Sequence, residues 1–161
     1  ILGGPNKYYD FSDDQINIIF NKIKTLFTPD KYKIVVIPSY RTPEDIIKKA
    51  FNAFSHSHVV FKQVDKKAYL SALSISDYIV VTCDSTSMIS EAAVTGKPIY
   101  VAKMKPKRNN ARFENFYNEF KKLNVIRDLE DKIELWSYNQ LDEVNRIAAE
   151  IKNRIKEYGI V

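Results

Sequence analysis

Cysteine is nearly absent from this chain. Cys83 stands alone, which excludes an internal disulfide and any cysteine-based metal site and suits a reducing compartment. Histidine is almost as scarce. His56 and His58 lie two apart, with no cysteine or acid placed to join them as ligands, so no metal is expected. No apolar run approaches the roughly 18 residues that a membrane-spanning helix needs, and no signal-peptide pattern opens the chain. An initial methionine is missing too. The first residues, "ILGG", read as a strand already under way. The expectation is one domain, 1–161, forming the C-terminal half of a longer two-domain protein, cytoplasmic or peripheral to a membrane.

What is present describes a globular protein. Hydrophobic residues make up 45% and charged residues 28%, too apolar a balance for disorder. A chain of this length buries roughly 70% of its unfolded surface. The net charge of +5 leans toward anionic partners: nucleotide, phosphate, nucleic acid or a lipid surface.

Short apolar, β-branched runs recur along the chain: "ILG" (1–3), "KIVVIP" (33–38), "HVVFK" (58–62), "YIVVT" (78–82), "PIYVA" (98–102) and, weakly, "VIR" (125–127). Each is too short for a helix and nearly continuous in hydrophobicity, as in strands buried on both faces of a parallel sheet. Helical patterns alternate with them. Ser12 can cap a helix with Ile16, Ile19, Phe20, Ile23 and Leu26 on one face, Gln15 completing a capping box. Thr42-Pro43 reads as N-cap and first helical residue. Asp65 can cap a third helix. A further pattern runs through Phe113, Tyr117 and Phe120, and a last one through Leu141, Val144, Ile147, Ile151 and Ile155, stopping near Gly159. The alternation predicts an α/β fold: a Rossmann-like, doubly wound parallel sheet of about six strands with helices on both faces. With the common strand order, the loops leaving the first and fourth strands flank one ligand crevice. Those loops are "GGPNKYY" (3–9) and "CDSTS" (83–87).

The second loop opens the most informative stretch, "CDSTSMISEAAVTGKP" (83–98). Ser85, Thr86, Ser87 and Met88 stand where a helix begins. A helix N-terminus presents unpartnered N–H groups and partial positive charge. Small hydroxyl residues let an anion approach, so Asp84–Met88 reads as a phosphate cradle. Glu91, a turn to a turn and a half further in, can accept hydrogen bonds from the two hydroxyls of a ribose. The plainer alternative is an ordinary cap and a solvated glutamate. Gly3, Gly4, Asn6 and Lys7 form either a phosphate-facing loop or a tight turn. Ser39, Arg41 and Thr42 follow the second strand at the same edge, where Arg41 can fork onto phosphate or simply stay solvated. Gln63, Val64 and Asp65 read as a helix cap. Lys103, Lys105, Lys107, Arg108 and Arg112 make a basic loop. Most of it reads as a solvated charge run, with Lys103 the best candidate for a ligand contact. Cys83 reads as a small buried residue.

The segment "DSTSMISEAAVTGKPIYV" is similar to the nucleotide-sugar site of GT-B glycosyltransferases and UDP-N-acetylglucosamine 2-epimerases. Asp84-Ser85, Glu91-Ala92 and Gly96-Lys97-Pro98 match the epimerase pattern without a gap. Thr86 and Ser87 replace its glycines. In that resemblance the loop and helix start bind diphosphate and the glutamate binds ribose. "GGPNKYY", "PSYRTP", "VVTCDSTSMISEAAVTGKPIYV" and "ELWSYNQLDEVNRIA" resemble, in this order, the mitochondrial-fission ELM family, which includes bacterial proteins and a plant organelle-fission factor. One departure is Tyr40, where that family carries a second arginine.

The resemblance implies the nucleotide-sugar-binding, C-terminal domain of a GT-B-like glycosyltransferase or epimerase-like protein. The nucleotide sugar, UDP favoured, would be its substrate, with no separate cofactor. Catalytic groups would sit on the absent N-terminal domain, so the isolated domain is expected inactive. The rival expectation is a non-catalytic module that meets protein or an anionic membrane surface through the basic loop. Nucleic-acid binding ranks last, since no recognition motif supports it.

Overall fold

The computed structural model describes residues 1–159. Helices and short parallel strands alternate along it: α1 (Asp13–Leu26), β1 (Val35–Val36), α2 (Glu44–Phe54), β2 (Val59–Val60), α3 (Lys66–Ile75), β3 (Ile79–Thr82), α4 (Thr86–Ala93), β4 (Ile99–Ala102), α5 (Ala111–Lys122), β5 (Ile126–Asp128) and α6 (Glu143–Glu157). Every apolar run except the first contains or overlaps one of these strands. All pairings are parallel: Val35 with Val59 in one sheet, Ile79 with Ile99 and Ile99 with Ile126 in the other.

The single sheet of about six strands is not what forms. There are two sheets, β1-β2 and β3-β4-β5. The run 1–3 contributes one bridge, Leu2 to Pro38. It still bonds to both sides. The Leu2 N–H donates to Ile37 O and Ser39 N–H to Leu2 O, both at 2.9 Å. On the other flank the Ile1 nitrogen donates to Val80 O at 2.7 Å, and Thr82 N–H reaches Ile1 O at 3.3 Å. The ladder stops after Leu2 because the next two N–H groups turn to side chains, Gly3 to Thr82 Oγ1 and Gly4 to Asp84 Oδ2.

The core gathers around β3 and β4. All four residues of β4 are buried, as parallel strands covered on both faces require. Ile16 and Phe20 of α1, Ile46, Ala50 and Phe54 of α2, Ile89 of α4 and Tyr117 of α5 join the same cluster. Each fully buried side chain of this kind contributes about 1.5–3 kcal/mol of apolar transfer. The amphipathic pattern of α6 is different: none of its residues is buried, and Val144 within it and Tyr158 at its C-cap are nearly four-fifths exposed.

Capping follows the sequence in part. Asp65 accepts the Ala68 N–H at 2.9 Å, as its position predicts. The box at Ser12 does not close: Gln15 Nε2 donates to the Ser12 hydroxyl instead of turning to its N–H. Thr42 is not a cap. Pro43 takes the N-cap position, and the Thr42 hydroxyl is buried against the carbonyls of Leu2 and Gly3 at 2.9 and 2.7 Å while accepting Ser39 N–H at 2.8 Å. A tertiary partner has displaced the local one.

Thr42→Val therefore leaves the buried Gly3 carbonyl short of a partner, while Ser39 N–H and Leu2 O keep only their bond to each other. It is expected to cost about 1–3 kcal/mol in urea denaturation, with Thr42→Ser retaining most of that stability.

Candidate functional site

At the carboxyl end of β3 the chain buries a charge. The Asp84 side chain is wholly buried. Its Oδ1 accepts the Thr82 hydroxyl at 2.7 Å. Its Oδ2 accepts the Gly4 N–H at 3.1 Å and the Arg41 guanidinium at 2.6 Å. Thr82 Oγ1 in turn accepts the Gly3 N–H at 2.8 Å, and Arg41 also donates to Gly4 O at 2.7 Å. An isolated carboxylate in this place would be prohibitively costly. Two neutral donors and one cation offset that cost and tie residues 3–4, the loop 39–42 and β3 to one point.

Both glycines are required by this closeness. A methyl group on Gly3 would run into the Asp84 carboxylate, and one on Gly4 into the Arg41 carbonyl. Their N–H groups are already committed, so neither is free for an anion. Asn6 is committed as well. Its Nδ2 donates to Asp84 O at 3.1 Å, and its Oδ1 accepts the Tyr8 and Tyr9 N–H groups. The loop is anchored further on by buried Tyr9 and by Phe11, which adopts φ 59°. Burial of the Phe11 ring offsets a conformation that bulky residues avoid.

The outer layer is open. Arg41 keeps 42% of its side chain exposed. Ser39 accepts the Arg41 N–H at 3.3 Å and shares a hydrogen bond with Thr42. Ser85 caps α4 by accepting the Met88 N–H at 3.4 Å. Thr86 and Ser87 occupy the first turn of α4, half-buried and exposed, and their hydroxyls bond to no other described residue. Lys7 is exposed and lies over the Tyr8 ring, which also faces Arg108. Glu91, exposed on α4, accepts the Tyr69 hydroxyl at 2.8 Å. Burial and then the Glu91 carboxylate push the Tyr69 hydroxyl well above its ordinary range.

Gly3, Gly4, Asn6, Ser39, Arg41, Thr42 and Asp84 thus form one hydrogen-bonded group, and Ser85 to Met88 continue directly from it. Lys103 is engaged elsewhere, with its Nζ 3.3 Å from Glu114 and 3.5 Å from the Tyr117 ring centroid. The turn 96–98 also has internal work. Gly96, at φ 73°, turns the chain after α4, whose C-cap is Val94. Lys97 Nζ donates to the carbonyls of Leu73 and Ser74 at the end of α3, where a cation complements the helix dipole. Cys83 is buried, and desolvation pushes its thiol up to about 11. Sequence reading overlooked Thr82 and Tyr69. Thr82 had a usable signal: it sits two before Asp84, and such residues share a face of an extended chain. Tyr69 had none, because it fits the apolar stripe of α3.

Asp84→Ala is expected to cost about 3–5 kcal/mol in chemical denaturation. Arg41→Ala should cost less, since solvent reaches the guanidinium. The double variant should lose less than the sum of the two, a coupling of about 0.5–3 kcal/mol. Cys83 should react with a thiol reagent at pH 8 only as fast as the native fold opens, and at the rate of a free thiol once denaturant is added.

No solved structure matches the chain significantly. An uncharacterized protein of Rickettsia prowazekii, RP120, is 28% identical over 97% of the chain and 46% of the relative. The mitochondrial fission protein ELM1 of Arabidopsis thaliana is 32% identical over 75% of the chain and 29% of the relative. The chain therefore spans half or less of the length of these relatives. The family model described as Mitochondrial fission ELM1 matches residues 1–155, all of the site included, and the chain belongs to that family.

Proposed function

We propose that the crevice around Arg41 and the start of α4 binds the diphosphate of a nucleotide sugar, UDP favoured, as the nucleotide-binding half of a GT-B-like glycosyltransferase or epimerase-like protein. The observation that carries this reading is Arg41. Its guanidinium is fixed from behind by a buried carboxylate at 2.6 Å, yet 42% of the side chain stays open. A guanidinium held so is pre-organised for a phosphate. Beside it, the first turn of α4 offers N–H groups without helical partners and two unengaged hydroxyls. Lys7 adds a nearby positive charge. Gly3, Gly4 and Asp84 serve by spacing and by holding Arg41, not by contact. At 1.5 Å per residue, Glu91 lies about 7 Å along α4 from Thr86, within the reach of one nucleoside diphosphate. Tyr69 occupies one of its oxygens and leaves the other for the ribose hydroxyls.

The reading goes with a Rossmann-like, doubly wound sheet in which residues 1–3 are the central strand. The bonds of Ile1 and Leu2 to both flanks support that arrangement. Acid and base groups for turnover would come from the rest of a longer chain, so these residues alone would bind without catalysis.

A second reading takes the chain as a non-catalytic module for an anionic membrane surface. It is favoured by Lys105, Lys107 and Arg108, all exposed, in the loop that packs on Tyr8. The name of the Arabidopsis relative points the same way. Against it, Lys107 is already paired with Asp10 at 2.6 Å.

The deciding experiment is an NMR titration with UDP, GDP, ADP and CMP, each alone. Shifts should be confined to the neighbourhood of Arg41, Thr86, Ser87 and Glu91, and be largest for UDP. Glu91→Ala should weaken binding by about tenfold, or about 1.4 kcal/mol. No response at millimolar nucleotide, in this chain and in a full-length relative alike, would sink the nucleotide reading. Co-sedimentation with phosphatidylserine liposomes that is lost on K105A/K107A/R108A would then carry the second.

A further inference from the structure

A cavity opens beside Ile1 and Leu2, on the side of the sheet away from Arg41's exposed edge and reaching Thr82. It measures about 380 Å³ and runs between β1 and β3. Its walls are mostly apolar, with Ile19, Phe20 and Ile23 of α1, Phe54 of α2, and Ala72 and Ile75 of α3, while Lys31, Lys33 and Asp77 also line it. A second cavity of about 60 Å³ shares Ile1, Val35, Tyr78 and Val80 with the first. Between β1 and β3 there is therefore a channel with open volume against the same backbone.

The hydrogen bonds give this channel a direction. Along a strand, successive residues turn their backbone groups to opposite sides. Ile34 and Val36 accept the N–H groups of Val59 and Phe61, so they face β2. Val35 and Ile37 then face the channel. On the other bank, Ile79 and Cys83 bond to Pro98 and Ala102 of the β4 side. Tyr78 and Val80 then face the channel too. Two of these facing groups are used, Ile37 O by Leu2 and Val80 O by Ile1. The alternation leaves Val35 O, Ile37 N–H, Tyr78 O and Val80 N–H pointing inward.

We infer that this channel is the seat of a short, apolar, extended segment that runs parallel to β1 and β3 and leads directly into Ile1. The register sets its length. Leu2 stands opposite Pro38, so Ile1 stands opposite Ile37. About three further residues, at one step each, would stand opposite Val36, Val35 and Ile34. The first of them would bond to Val35 O and Ile37 N–H, the second to Tyr78 O and Val80 N–H. Alternate side chains of such a strand point to opposite faces, which is what two cavities sharing one backbone wall accommodate.

Three other observations agree. Val35 remains 37% exposed, although strands of parallel sheets are normally covered on both faces. Ser76 Oγ is buried without a partner and lines both cavities. Burial pushes the Ile1 amine down to about 5. A charged ammonium is out of place there, whereas a peptide N–H would make the same bond to Val80 O without cost. The occupant is a stretch of chain leading directly into Ile1, and the curated relatives are more than twice as long as the part of them that this chain matches. This inference does not depend on nucleotide binding.

The test uses three forms of the chain: as it stands, with Thr-Val-Val-Val placed before Ile1, and with Gly-Ser-Gly-Ser placed there. Amide hydrogen exchange is followed at Val80 and Ile37. The β-branched extension should slow both amides by about tenfold or more relative to the unextended chain, raise Tm, and leave the protein monomeric by size exclusion. The Gly-Ser extension should do markedly less. Equal exchange at Val80 and Ile37 in all three forms would overturn the inference. So would protection that appears only with oligomer formation, since the slot would then be taken by a second copy.

Discussion

The bond between Asp84 and Arg41 is the constraint on which the rest of the arrangement turns. A buried carboxylate cannot be left unmatched, and each group that matches it comes from a different part of the sequence. Arg41 lies 43 residues away and Gly4 lies 80 away, while Thr82 comes from the strand that leads into it. Satisfying one anion therefore fixes where the first residues lie, how the 39–42 loop turns, and where α4 starts. Such a pair adds little net stability over an apolar substitute, because desolvation consumes most of the Coulomb attraction. Its value here is in positioning. It leaves a cation facing outward at a place and angle that solvent alone would not hold.

That division explains which parts of the fold were legible in the sequence. Five of six apolar runs became strands, and the patterns between them became helices, because burial on both faces writes itself into composition. Asp65 was legible because a cap and its N–H are three residues apart. Thr42 carried the same local signature and did something else. Its hydroxyl met the carbonyls of Leu2 and Gly3, some 40 residues distant, and no window along the chain contains both ends of that bond. The six-stranded sheet was over-read for a related reason. Hydrophobicity marks a run as strand-like, but whether its ladder continues depends on where Gly3 and Gly4 send their N–H groups.

The glycines teach the same point more sharply. A pair of glycines after a strand is compatible with close approach by a ligand or with close approach by the chain itself. Sequence cannot separate these, since both need a residue without Cβ. The direction of the missing Cβ separates them at once: toward Asp84 at Gly3, toward the Arg41 backbone at Gly4. Asn6 followed the same course, spending its amide and its carbonyl on the loop it belongs to.

The site is thus built in two layers with different chemistry. The inner layer, Gly3, Gly4, Asn6, Thr42, Thr82 and Asp84, is closed by the inner edge of Arg41, which bonds Asp84 and Gly4 O. The outer layer, Thr86, Ser87, Lys7 and the exposed edge of Arg41, is polar and accessible, with Glu91 steadied by Tyr69 at its far end. A site of this kind needs no ligand to complete its inner hydrogen bonds, because the buried charge is matched from within. The donors that remain meet solvent, so a ligand that covers them must replace the water bonds they lose. Any anion that displaces that solvent meets a guanidinium already oriented, so little side-chain freedom is left to lose on binding.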